Sequence, residues 1–251
     1  MNTPGFYLGT SGIALPLTKE NFPEAYRSGT RLTYYGSVFN SLEVNSSFYK
    51  TPQATTFAKW SSEVQDDFHF TVKLSKAVTH AKKLDFDAAE IDKFLQAASA
   101  LEWKKGALLV QFPASISNNY FDAVEALLAR INSQNSEPRW QVAVEFRHSS
   151  WYGDHTYQML ERHRASLVIH DMPGSATLEA IRGEIIYLRF HGPTGDYKGS
   201  YSSAHLQHWA EWLVDQQQKT RKTAYVYFNN TMGDAYNNAQ LLRAYMEKVK
   251  D

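Results

Sequence analysis

Cysteine is absent from the 251 residues. Its absence excludes disulfides, thiolate metal sites, iron–sulfur clusters and a cysteine nucleophile. Net charge is missing too: 26 Lys and Arg stand against 26 Asp and Glu. No overall field therefore draws the chain to nucleic acid or to a membrane surface, and a local basic patch is the one electrostatic route left open. No apolar run approaches the roughly 18 residues of a membrane span, and the polar N-terminus has no apolar leader core. A cytoplasmic protein with no membrane partner is expected. No stretch rich in Gly, Ser or Pro divides the chain, and no segment is of low complexity. One domain over residues 1–251 is the expectation.

What is present is alternation. Apolar runs of strand length are followed by segments of helical period. The strands read as Phe6–Thr10, Val38–Asn45, Phe68–Leu74, Ala107–Phe112, Gln141–Arg147, Ser166–Asp171, Glu184–Gly192 and Ala224–Asn230. Between them, Ile91, Phe94, Ala98 and Leu101 form one helical stripe, and Phe121, Val124, Leu128 and Ile131 form another. Asn21-Phe22-Pro23 opens an earlier helix that Gly29 stops, and Ser202 and Asp234 are N-cap candidates later on. The connection Met172–Gly183 is short for a full helix. A doubly wound open sheet alternates in the same way. Eight such units in about 250 residues favour a closed (β/α)8 TIM-type barrel with a parallel eight-stranded sheet and a short or irregular connection after strand six.

The strands turn ionic where they end. In such a barrel the C-terminal ends converge on one rim, and polar residues delivered there make a site. Side-chain parity places Glu43, Lys73, Gln111, Glu145, Arg147, Arg189 and His191 at the mouth. Lys73, Arg147 and Arg189 suit an anionic ligand, because a guanidinium fork matches carboxylate or phosphate and an ammonium supplies a point charge. His191 and His80 are candidates for proton transfer, and Glu43 with Glu145 for an acid/base pair. The alternative is an ion-pair network that cancels itself, with Glu145 against Arg147 or Arg189. Glycine-containing turns after strands seven and eight, 192–199 and 229–234, suggest a phosphate cradle of backbone N–H groups. Glu43, Glu145, His170, Asp171 and His191 offer oxygen and nitrogen donors to a divalent metal, though no compact motif such as HExxH supports one. Phe48, Tyr49, Trp151, Tyr152, Tyr197 and Tyr201 crowd the same loops, either as helix packing or as a stacking platform for a ring.

Seven motifs occur in order: Gly9-Thr10-Ser11-Gly12; Glu43-Val44-Asn45-Ser46-Ser47-Phe48-Tyr49; Lys73 with Thr79-His80; Gln111-Phe112-Pro113; Glu145-Phe146-Arg147-His148-Ser149-Ser150-Trp151; Arg189-Phe190-His191-Gly192; and Tyr227-Phe228-Asn229-Asn230. With them the whole chain resembles the YecE-like family, domain of unknown function 72. The resemblance implies a TIM-type barrel and brings no established activity. It implies that Glu43, Asn45, Tyr49, Lys73, His80, Glu145, Arg147, Arg189, His191 and Asn229 occupy the family's signature positions. The chain departs from the family pattern at Ile13-Ala14-Leu15, where an aromatic is usual.

The expectation is an enzyme acting on a small anionic substrate, phosphorylated, nucleotide-like or carboxylate, by acid/base chemistry without a cofactor. Glu43, Glu145, His191 and His80 would be catalytic. Asn45, Tyr49, Lys73, Gln111, Arg147, Arg189, Tyr201 and Asn229 would bind substrate. Two alternatives stand beside it: a metal-assisted phosphoesterase or nuclease, and a non-catalytic module that binds nucleic acid or protein.

Overall fold

The computed structural model describes residues 5–175 and 180–250. Its strands are β1 (Phe6–Thr10), β2 (Ser41–Val44), β3 (His69–Lys73), β4 (Lys105–Phe112), β5 (Gln141–Phe146), β6 (Ala165–Leu167), β7 (Ile169–His170), β8 (Ile186–Phe190) and β9 (Ala224–Phe228). All pair in parallel. They form two sheets, β1-β9-β8-β7 and β2-β3-β4-β5-β6. The expected single closed eight-stranded sheet is therefore not observed as one continuous ladder. The sixth strand of the sequence reading is divided at Val168 into β6 and β7, one in each sheet.

The other break lies between β1 and β2, where the backbone makes one parallel bridge, Ser11 to Glu43. Side chains replace the missing ladder. Asn40 accepts from the Leu8 amide at 2.9 Å and donates to the Phe6 carbonyl at 2.7 Å. The Tyr35 hydroxyl accepts from the Thr10 amide at 2.7 Å and donates to the Ser41 carbonyl at 3.1 Å. Gly9 is required here, because a Cβ would overlap the Ser41 carbonyl oxygen and press on the Tyr35 hydroxyl.

The second strand starts later than its apolar run suggests. Val38 ends the helix Arg31–Val38, which buries Leu32 and Tyr35 and is capped by Thr30 accepting from the Thr33 amide. The helix expected before Gly29 is a single turn, Glu24–Arg27. Helices Ala88–Ala98, Phe121–Gln134, Asp154–Arg162, Ser203–Thr220 and Ala235–Lys250 carry the connections. Asp87 and Ser202 cap two of them, each accepting an amide of the first turn. Asp234 instead uses its carboxylate to accept from Ser200 and Asn237. The Met172–Gly183 connection includes residues 176–179, which lie outside the described residues. Among the described residues no helix is long and apolar enough to cross a membrane.

Side chains between the sheets stack in layers. At the strand entrances Tyr7 lies flat between His69, at 3.9 Å, and Tyr225, at 5.0 Å. Leu109, Ala143, Val168, Tyr187 and Tyr227 fill the next level, all buried. Tyr227 shares hydrogen bonds with Ser41 and Thr71 across the interior. Above this plug the interior becomes ionic.

Candidate functional site at the strand C-termini

The ionic level is built on Arg189, from β8. Its Nε donates to Glu43 Oε2 at 2.9 Å, its Nη2 to Glu43 Oε1 at 2.7 Å, and its Nη1 to Glu145 Oε2 at 2.7 Å. Glu43 also accepts from Ser11 Oγ at 2.5 Å and from the Tyr187 hydroxyl at 2.6 Å. Both carboxylates are fully buried, and Arg189 is 1% exposed. Burial pushes the Glu43 and Glu145 pKa values up, but the guanidiniums beside them win and hold both below the usual carboxylate range. Burial opposes the Arg189 charge too, and its two carboxylates overcome that, raising its pKa. The three groups are therefore ionised at neutral pH and mutually satisfied.

Two expectations change in consequence. Arg189 is spent on Glu43 and Glu145 rather than turned toward the mouth as an anion clamp. Glu43, with all its partners in place, is a fixed counter-ion rather than a group poised to exchange protons. The self-cancelling alternative describes this inner level.

Burial separates it from a second group of side chains nearer solvent. Glu43 pairs opposite Thr71, and Lys73 lies two residues further along β3. Arg147 lies two residues beyond Glu145, and Asn45 two beyond Glu43. The Arg147 side chain, 12% exposed, donates from Nε to Glu145 Oε1 and from Nη2 to His191 Nε2 at 2.9 Å. Lys73 Nζ donates to Gln111 Oε1 at 2.8 Å and lies 4.2 Å from the centre of the Phe48 ring. Burial first, then Arg189, lowers the Lys73 pKa to about 8. His80 meets the same Phe48 edge-on at 4.8 Å. His80 is exposed, yet desolvation of its ring and the charges of Lys73 and Arg147 push its pKa down to about 4. Asn45 Oδ1 is buried without a hydrogen-bond partner. The group nearer solvent thus carries cations and amides, while the acids are sealed.

His191 is fully buried. Its Nε2 accepts from Arg147, which assigns the ring proton to Nδ1, and Nδ1 donates to Asp171 Oδ1 at 3.2 Å. Burial keeps the ring's pKa below its ordinary value despite that carboxylate. Asp171 also accepts from the His191 amide and the Tyr201 hydroxyl. Tyr201 in turn accepts from the Gly192 amide at 2.6 Å, so it buttresses Asp171 rather than facing the mouth. His170 accepts the Met172 amide on Nδ1, and its Nε2 approaches the Phe146 carbonyl and Tyr152 hydroxyl. Among the described residues no group of three or more acid or histidine side chains is arranged to hold a metal ion.

The two glycine-containing loops are stitched to each other. The amides of Tyr197, Met232 and Asp234 donate to the carbonyls of His191, Tyr197 and Gly199, and Asn230 donates from its side chain to Gly199. Gly233 packs on Gly199, where a Cβ would collide with backbone. Those amides are consumed within the loops, which removes them from the expected phosphate cradle. Tyr49, 69% exposed, stands at the rim. Asn229 sits at the end of β9 with its amide bound to the Phe190 carbonyl. Trp151 is buried, stacked 4.3 Å from Phe146, so it packs rather than presents a platform. A cavity of about 540 Å³ lies at the opposite end of the strands, lined by Arg164, Arg182, Glu184 and Lys222 among others.

Ser11 and Tyr187, which donate to Glu43, are not among the site residues that the sequence singles out. Tyr187 shares parity with Arg189, which was the available signal. Asp171, in the sequence only one of several possible metal donors, holds His191 through its ring and its backbone amide.

Comparison with known proteins matches residues 7–251 to the profile of the family described as "Protein of unknown function DUF72". The UPF0759 protein YunF of Bacillus subtilis is 28% identical, with 87% of each chain covered. The UPF0759 protein YecE of Escherichia coli K12 is 26% identical over 141 residues, 56% of this chain and 50% of that one. Crystal structures of DUF72 family proteins are similar as well. One from Enterococcus faecalis V583 superposes with a TM-score of 0.79 at 20% identity, covering 96% of this chain and 95% of that one. One from Thermotoga maritima MSB8 gives 0.76 at 26% identity, covering 97% and 99%.

Proposed function

The chain belongs to the DUF72 family, and from that premise we propose that its two sheets act as one (β/α)8 cylinder whose mouth binds and transforms a small anionic substrate. The observation that carries this reading is the difference in exposure among the charges. Glu43 and Glu145 are sealed together with Arg189, while Arg147 and Lys73 keep some exposure. A cation that is already neutralised within the fold, and reachable from solvent, favours an incoming anion without leaving a bare charge in its absence.

Arg147 is the anchor for the anionic group, held in place by Glu145 and His191. Asn45 carries a buried acceptor that lacks a donor, and a hydroxyl or N–H group on the substrate would satisfy it once the side chain turns to the mouth. Proton transfer belongs to Lys73 and His80, which lie around one aromatic ring. Glu43, Glu145, Asp171 and His191 position them. Metal-assisted chemistry would need carboxylates that are here paired with arginines.

Isothermal titration with inorganic phosphate and with small hydroxy-carboxylates tests the reading. A lost charged hydrogen bond is worth about 1.5–3 kcal/mol, so Arg147→Ala should weaken binding by about ten- to a hundredfold. Unchanged affinity in a folded Arg147→Ala variant would remove the anion site.

A further inference from the structure

Each arginine of the buried cluster is paired with a carboxylate: Arg189 with Glu43 and Glu145, Arg147 with Glu145. Lys73 is the exception. Among the described residues no acid lies within ion-pair distance of its amine, whose hydrogen-bond partner is the neutral Gln111 carbonyl at 2.8 Å. An amide oxygen accepts equally well from an ammonium and from a free amine. An aromatic face covers it; burial and Arg189, with Arg147, oppose its charge, and together they outweigh the more distant Glu145 and Glu43 carboxylates that favour it. Desolvation together with neighbouring cations is the setting that turns a lysine into a nucleophile toward carbonyl carbon.

We propose that Lys73 is an imine-forming residue, and that the substrate is a small carbonyl compound carrying a carboxylate or phosphate. The anionic group would sit on Arg147, so this inference rests on the anion-binding reading above and names its chemistry. The step balances without a redox partner. The free amine adds to the carbonyl carbon, and one N–H proton moves to the carbonyl oxygen. His80, which packs on the same Phe48 ring that Lys73 covers, would carry it. The C–O bond then breaks, water leaves, and a protonated C=N bond remains. Counted from the resting ammonium, one carbonyl is consumed, one water is released and no net proton is exchanged. The positive charge at position 73 is kept, so the site stays attractive to the anion throughout.

The test is reductive trapping on the full-length chain. Glyoxylate, dihydroxyacetone phosphate and the uncharged glycolaldehyde are each offered at low concentration with cyanoborohydride, and adducts are mapped by mass spectrometry. A single adduct at Lys73 is expected, formed at least about tenfold faster than at any other lysine, because an ordinary amine near 10.4 is almost wholly protonated at pH 7. The rate should level off near pH 8, following the lowered pKa of about 8. Lys73→Arg should abolish the adduct, and Lys76→Arg should keep it. Labelling of the wild-type chain spread evenly over its lysines overturns the imine. If phosphate nevertheless binds and Arg147→Ala loses it, the anion reading stands alone. If glycolaldehyde labels Lys73 as fast as the anionic probes and phosphate does not compete, the imine stands and the anion reading falls.

Discussion

Replacing Arg189 by methionine, which keeps length and removes charge, leaves Glu43 and Glu145 facing each other across a buried space. Three charged hydrogen bonds go, at 2.7 to 2.9 Å. Removing one member of a buried ion pair costs about 3–5 kcal/mol, mostly because the remaining charge is stranded. Here Glu43 retains Ser11 and Tyr187, and Glu145 retains Arg147, so about 4 kcal/mol is the expected loss at pH 7. Set against a typical total of about 5–15 kcal/mol, that is a large share of the stability. With a urea slope of roughly 3 kcal/mol per molar, the midpoint drops by about 1.3 M. The pH dependence gives a second, independent reading. In the wild type both carboxylates have lowered pKa values, so their contribution is present above the unfolded value of about 4.3 and is lost as pH falls through the folded values. Without Arg189, burial dominates at Glu43 and raises its folded pKa, so the variant gains stability as pH falls toward 5. The gap between the two proteins, followed by tyrosine and tryptophan fluorescence in urea from pH 8 to pH 5, should narrow. A loss under about 1 kcal/mol with parallel pH trends would refute the interlocked network, and would return Arg189 to the role of an available ligand.

Other outcomes follow from the same contacts. Asn45→Ala should change stability by less than about 0.5 kcal/mol, since its buried oxygen has no partner to lose, while weakening hydroxylated anions more than plain phosphate in titration. Asn40→Ala should cost about 1–3 kcal/mol by leaving the Leu8 amide and Phe6 carbonyl unpaired, with faster hydrogen exchange confined to β1 and β2. Gly9→Ala should cost about 3 kcal/mol through overlap with the neighbouring strand, read as a lowered melting temperature. Nitrogen-15 spectra of His191 should show a neutral ring protonated on Nδ1 at pH 7, and Asp171→Asn should redistribute that proton; a charged ring in the wild type contradicts the assigned hydrogen bonds.

Strand alternation made much of the inner level legible. Glu43, Glu145, Arg189 and His191 were placed inward because parity is a local property that tertiary contacts do not alter. Pairing was legible in part: Glu145 against Arg147 or Arg189 follows from shared parity, whereas Arg189 reaches Glu43 across 146 residues and no spacing rule connects them. Level was hidden. Lys73 and Arg147 share the inward parity of the acids, and only their burial in the fold tells them apart: the acids are sealed, whereas Arg147 and Lys73 keep some exposure. The start of β2 was misread because Val38-Phe39 has strand character, yet Val38 closes the helix whose Tyr35 is needed at the β1–β2 gap. The break at Val168 had no signal in an unbroken apolar run.

Backbone ladders are indifferent to which side chains flank them, so most of this wall can drift in sequence and keep its bonds. The join between β1 and β2 has no such freedom. It is written in the side chains of Asn40 and Tyr35 and in the missing side chain of Gly9. In inheritance, therefore, these three positions should change together or not at all, and their coupled history would measure how strongly selection holds the two sheets together at this edge.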